Sequence, residues 1–282
     1  MRHTALILGD QLMRENPALD GARRVLLLEP LSALRRRPVH RRRAHLVLSA
    51  IRHFVCELEQ RGDVQVVHRR AVASFAEGLC DEREVVCAEP NSLTARRALE
   101  RLGVRFVASN QFLTSPERFA GWAQQRRRLV MDDFYREQRR VHGVLLDERG
   151  QPEGGRWSFD AENRRPPVRG LRAPTPWQPE EDAVDAQVRR DLDALPNGHL
   201  WGQDGPRSVA VTPDEASRAL RSFITTRLEQ FGPWQDAIVD GEPILFHSLL
   251  SAPMNLGVLE PLRAIRAAER AYRSGAVPIQ SA

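Results

Sequence analysis

Asp10 lies in Leu8-Gly9-Asp10-Gln11-Leu12, directly after an apolar run. In an open parallel sheet, ligands bind outside the carboxyl ends of the strands, where such a carboxylate would face them. No Gly-x-Gly-x-x-Gly follows, so ordinary dinucleotide binding has no support, and a plain strand-to-loop turn accounts equally for Gly9 and Asp10. The run Arg35-Arg36-Arg37-Pro38-Val39-His40-Arg41-Arg42-Arg43 crosses from loop into the start of a helix. Each cation there opposes the helix dipole at about 0.3–1 kcal/mol. The run is either a solvated basic rim or a holder for an anion, phosphate or anionic cofactor. The densest chemistry spans residues 131–140 and 152–164, where Trp157 and Phe159 stand among Arg156, Arg164 and Arg165. Aromatic planes interleaved with arginine suit stacking on nucleic acid. Asp160, Glu162 and Asn163 could instead supply oxygen ligands to a divalent cation such as Mg²⁺. A structural hairpin anchored by Trp157 explains the same residues.

Other chemistries find no residues to perform them. Ser49 and His53 are spaced i, i+4 on one helix, but the sequence places no carboxylate to orient the histidine. HExxH, paired CxxC and SxxK are absent. Cys80 and Cys87 read as packed thiols rather than ligands.

The 42 basic residues are all arginine, which excludes Schiff-base lysine chemistry and a P-loop lysine. An arginine-biased codon usage accounts for this without invoking function. Residues 35–70 carry 10 arginines against 3 acids, and residues 123–172 carry 12 against 8. The remainder is net acidic although the whole chain is +5, so the two basic zones point to an anionic partner, nucleic acid first. Three cysteines (Cys56, Cys80, Cys87) without CxxC spacing favour a reduced, cytoplasmic protein. No run of 18 apolar residues could span a bilayer, and the short apolar stretch before Asp10 does not read as a signal peptide.

These residues need elements to hold them. Residues 4–8, 24–28, 64–68, 85–88 and 105–107 read as short buried strands. Val47, Ala50, Ile51, Phe54, Val55 and Leu58 recur with helical period, predicting a helix from near Arg41 to just before Gly62. Residues 94–102 form a second helix closed by Gly103. Strands alternating with helices predict an α/β, Rossmann-like parallel five-stranded sheet with flanking helices. Residues 116–145 turn helical, residues 147–155 form a turn or hairpin tip, and a proline-rich linker follows Phe159. Thr212-Pro213-Asp214-Glu215 reads as a capping box opening a helix that runs to Gly232. Residues 247–256 and 259–272 read as two more helices. The division expected is an α/β domain over 1–130, a helix, hairpin and linker over 131–185, and an all-α domain, incomplete, over 186–282.

The segments MDDFYREQRR and PEGGRWSFDAENRR resemble the signature of the prokaryotic photolyase-related proteins, the iron–sulfur bacterial cryptochromes and (6–4) photolyases. LILGDQL, HRRRAHLVLSAIRHF, FLTSPERFAGWA and FHSLLSAPMNLGVLEPLRAIRAAERAY fit the same pattern in order, over essentially the whole chain. The resemblance implies an α/β antenna domain joined to an all-α FAD domain, and light-driven repair of DNA photoproducts or blue-light sensing. It implies that His247, Ser248, Leu249, Leu250, Ser251 and Asn255 meet FAD, with Gly257 continuing that motif. The helix N-terminus expected there would be a ready anion site. It also implies a divalent cation at Asp160 and DNA contact at Arg164, in a loop shared with Arg156 and Arg165.

Two departures from the family stand out. The four iron–sulfur cluster cysteines and the remaining helices of the FAD domain are absent from this sequence, so the FAD site is expected to be partial and the chain alone inactive. The antenna loop reads Leu31-Ser32-Ala33-Leu34-Arg35-Arg36 without the family's acid and tyrosine, and Glu89-Pro90-Asn91-Ser92-Leu93 replaces E-P-G-E-W. Both count against a ribolumazine antenna. The alternative from another class is a non-catalytic nucleic-acid-binding or scaffold remnant using the arginine zones for weak electrostatic contact with DNA.

Overall fold

The computed structural model describes residues 3–30, 38–195 and 199–282. The antenna-loop positions 31–36, and Arg35–Arg37 of the basic run, lie outside these residues. The chain divides into two compact units, each assembled from three stretches. The first comprises residues 1–112, 178–216 and 251–260; the second comprises 113–177, 217–250 and 261–282.

The first unit holds an all-parallel sheet of β1 (His3–Ile7), β2 (Ala22–Pro30), β4 (Gln65–Val72), β5 (Val85–Ala88) and β6 (Arg105–Val107). Their order is β4-β2-β1-β5-β6, the expected doubly wound arrangement, which reverses direction between β1 and β5. Alternation sends Leu6, Leu26, Leu28, Val85 and Cys87 into one apolar cluster with Leu99 of the helix α3 (Leu93–Arg101). The intervening Ala5, Ile7, Val25 and Leu27 are also buried, as is the Ile51, Phe54, Val55 and Leu58 stripe of α1 (Arg41–Arg61). The His40 ring caps α1 by accepting from the Arg42 N–H, and Gly62 at φ +68 ends it. A two-residue pair was not legible: β3 (Val39–His40) runs parallel to β7 (Leu200–Trp201). Between β4 and β5 the short α2 (Phe75–Gly78) intervenes. Helix α6 (Ala183–Asp193) packs Val188 and Leu192 on Ala44 of α1.

Several expectations need correction. The complete capping box belongs to α6, where Asp182 and Asp185 exchange side-chain and backbone bonds. At α7 (Pro213–Thr226) only half of one forms: Thr212 Oγ1 accepts from the Glu215 N–H, but the Glu215 carboxylate turns to the Val211 N–H and Arg207. Arg207 is a buried cation, and its attraction outbids one more backbone bond. Cys80 is exposed, not packed, because it lies in the turn after α2 rather than on a strand. The helix expected from residue 247 begins only at Ser251 (α9, Ser251–Leu256), since Leu249 adopts φ +60 and breaks the helical path.

In the second unit, α4 (Pro116–Gln124) and α5 (Met131–His142) join Phe119, Trp122 and Phe134 in a ring cluster. Residues 146–152 close the expected turn, with Asp147 Oδ1 accepting from the Arg149 and Gln151 N–H groups. Helices α8 (Leu228–Trp234) and α10 (Pro261–Arg273) complete it. Arg139 is buried and donates to the carbonyls of Val144, Leu145 and Trp157, which fixes the hairpin to α5.

Candidate functional site

In the first unit, the strand-order reversal places Asp10 beyond β1 and Asn91 beyond β5. Asn91 Nδ2 lies 3.2 Å from Asp10 Oδ2 and 2.7 Å from Gln111 Oε1. Gln111 Nε2 in turn donates to the carbonyls of Met254 and Asn255 at 3.1 and 3.2 Å. Gln11, fully buried, donates to the carbonyls of Ala88 and Glu89 and accepts from the Cys87 thiol. Leu12 N–H donates to the Leu256 carbonyl, and Gly257 at φ +83 lies so close that a Cβ would meet Leu12 N at 2.9 Å. Burial pushes the Asp10 carboxyl up, and the Asn91 bond only partly offsets it. Burial, with the nearby Asp10 charge, pushes the Cys87 thiol up to about 12. This edge is a polar network closed by amides. Asn91 and Gln111 were not singled out from sequence, since nothing local distinguishes a bridging amide from a loop residue.

Alongside, still within the first unit, the carboxyl ends of β2 and β4 border a cavity of about 990 Å³. Cofactor clefts typically span roughly 300–1,000 Å³. Its apolar wall is Val47, Leu48, Ile51, Leu192 and Leu195, and Trp201 and His40 meet edge-to-face at 4.6 Å on its rim. Its polar wall is an ion network. Glu29, 8% exposed, accepts two bonds of 2.8 Å from Arg52 and one of 2.9 Å from His68. Asp191 takes Arg52 and Arg70. Burial works against the charged Glu29, but Arg52 and His68 outweigh it and hold the carboxyl at about 2. Of the basic run, Arg41 pairs with Asp193 and Asp204, while Arg43 lines the cavity with no ion pair among the described residues.

The residues expected to meet FAD fall on both sides of the division between units: His247, Ser248, Leu249 and Leu250 belong to the second, Ser251 and Asn255 to the first. Within the second unit, Leu245 (φ +45) and Leu249 (φ +60) both occupy the left-handed region, at a cost non-glycine residues rarely bear without a constraint. Ser248 Oγ accepts from the Leu250 N–H at 3.4 Å. Arg227 Nε donates to the His247 carbonyl at 3.3 Å, and Trp234 stacks on Phe246. Two buried donors here, Arg227 Nη1 and Trp234 Nε1, have no acceptor among the described residues.

The second basic zone is internally paired. Asp160, expected to hold a cation, and Arg164, expected to hold DNA, bind one another at 2.5 Å. Arg156 pairs with Glu162 and covers the Phe159 ring, and Trp157 lies against Arg139 and Arg140. The Arg165 side chain is exposed. Among the described residues, the set of three His, Cys, Asp or Glu groups close enough to share a metal is His53, Asp182 and Asp185. His53 does have a carboxylate, Asp182 Oδ2 at 3.2 Å, contrary to the sequence reading. Asp182 stands 129 positions away, beyond any local spacing argument. Arg207 already takes both oxygens of Asp185, so this cluster is an ion network rather than an open metal site.

A sequence profile of the deoxyribodipyrimidine photo-lyase-related proteins matches residues 5–203. The chain belongs to this family. A (6-4) photolyase of Agrobacterium fabrum (strain C58) is 34% identical across the whole of this chain, in an alignment of 302 residues. The chain spans 59% of the length of that relative. Among the described residues no helix is long and apolar enough to cross a membrane.

Proposed function

We propose that this photolyase-related chain carries part of an FAD site, with His247, Ser248, Leu249 and Leu250 of the second unit meeting the cofactor, and that it belongs to a protein serving light-driven reversal of DNA photoproducts or blue-light sensing. The observation that carries the reading is the strained 245–249 backbone with two orphaned buried donors beside it. Groups that lack an acceptor in the folded protein fit an acceptor-rich ligand, and a dinucleotide diphosphate is such a ligand. When bound, reduced FAD supplies the electron that light drives to a photoproduct. The chain's own residues hold the cofactor, and exposed Arg165 offers charge to a DNA backbone, joined by Arg156 and Arg164 where a phosphate displaces Glu162 and Asp160. Mg²⁺ binding at Asp160 requires the Arg164 pair to open.

Two measurements test this. FAD retained through gel filtration, and retained better than riboflavin, supports a diphosphate-led site; equal loss of both overturns it. Duplex binding should weaken with salt at a slope of about −0.9 per phosphate contact, and Arg164→Ala should lower that slope by about one contact. A flat salt response removes the arginine loop from the DNA surface.

A further inference from the structure

Three consecutive apolar side chains stand open to water where α4 gives way to α5 in the second unit. Leu129 is 61% exposed, Val130 41% and Met131 79%. Such a run is rare on a protein surface unless something covers it. A rigid base lies at its two ends: Phe119 and Trp122 of α4 pack on Phe134 of α5. Arg126 stacks over the Trp122 ring at 4.2 Å and donates to the Trp122 carbonyl, which fixes the start of the segment. Charges flank the run in opposite senses, Arg127 and Arg128 before it, Asp132 and Asp133 after it. Arg127, Arg128 and Asp133 are exposed and make no ion pair among the described residues, while Asp132 pairs with Arg136 on the surface of α5.

Residues 127–133 therefore read cation, cation, three apolar side chains, anion, anion. Laid antiparallel on a copy of itself about an axis at Val130, the segment matches at every position. Arg127 falls opposite Asp133, Arg128 opposite Asp132, Leu129 opposite Met131, and Val130 opposite its own counterpart. The match is one of side chains along the segment and needs no strand pairing. A two-fold interface demands this self-complementarity, since each of its contacts is made twice. We propose that residues 127–133 form the two-fold contact of a homodimer of this chain. The apolar run supplies the attraction, and the charges set the register: exposed ion pairs add little affinity, but like charges brought face to face repel strongly. The acids decide against other occupants. An anionic lipid surface or a nucleic acid would take the arginines but be repelled by Asp132 and Asp133. A contact this short makes a weak, reversible dimer rather than an obligate one.

Sedimentation equilibrium of the full chain over about 1 µM to 1 mM, the range of weak complexes, reads the dimer directly. Wild type should pass from monomer to dimer and stop there, because a two-fold contact closes. Arg127→Glu and Asp133→Arg should each weaken self-association about 10- to 100-fold, since each sets like charges against one another twice per dimer. Met131→Ser should weaken it as well. An equimolar mixture of the two charge variants should dimerise again, because the new glutamate of one copy then faces the new arginine of the other. That recovery also shows that both variants are folded. A wild type still monomeric at the top of the range overturns the proposal. So does a dimer that Met131→Ser or the two charge variants leave intact, which puts the contact elsewhere, and so does a mixture that fails to recover. Arg127-dependent binding of phosphatidylglycerol vesicles or duplex DNA by a monomeric wild type would overturn it in favour of an anionic partner.

Discussion

Replacing Glu29 by glutamine should expose how much the cavity wall stabilises the sheet. Glu29 is enclosed, with Arg52 gripping both oxygens at 2.8 Å and His68 adding a third bond at 2.9 Å. The drop from an ordinary 4.5 to about 2 in the folded protein corresponds to about 3 kcal/mol, at 1.36 kcal/mol per pH unit. Removing one member of a buried pair independently costs about 3–5 kcal/mol, so the two routes agree. A lowered folded pKa contributes stability that is complete above 4.5 and disappears as pH falls toward 2. Urea unfolding at pH 7 should therefore show Glu29→Gln less stable by about 3 kcal/mol, a gap narrowing to about 1.5 kcal/mol by pH 3. A gap under about 1 kcal/mol at pH 7, or one that does not change down to pH 3, would refute the argument.

Three further outcomes follow from the packing. Gly257→Ala forces a Cβ to within 2.9 Å of the Leu12 nitrogen at φ +83, and should lower stability by more than about 1 kcal/mol in chemical denaturation. Arg207→Met strands Asp185 and Glu215, costing about 3–5 kcal/mol, and Asp185→Asn in the same chain should recover part of the loss. With a thiol-reactive chromophore at pH 8, exposed Cys80 should label first, while Cys87, buried and pushed up to about 12, should label only on unfolding.

The sheet and α1 were legible because their signals are local. The Val47-to-Leu58 stripe sets a helical period by itself, and short apolar runs punctuated by Gly62 and Gly103 leave little choice of element. The 245–250 segment was not legible, because leucine ordinarily avoids positive φ and nothing in His247-Ser248-Leu249 announces it. Partners distant in sequence were equally hidden. Asp182 beside His53, Gln111 beneath Asn255 and Glu29 under His68 are joined only once the chain has folded. Arg227 looked like one arginine among 42, and its burial is a tertiary fact. The rings of Trp157 and Phe159 looked available for stacking on bases, but neighbouring arginines cover them.

The interleaving of the two units also sets an order of assembly on the ribosome. β6 ends at Val107, so every strand of the large sheet has been synthesised early. The Val188 and Leu192 cover for Ala44, and the Leu256 carbonyl that receives Leu12, are translated much later. At about 5–20 residues per second, roughly 8–30 s separate the last strand from residue 260. Throughout that interval the nascent sheet carries an α1 flank still waiting for its partner. Trigger-type chaperones that shield apolar surface should therefore matter more for the yield of this chain than its modest strand count suggests, and slowing translation after β6 should lengthen the vulnerable period rather than relieve it.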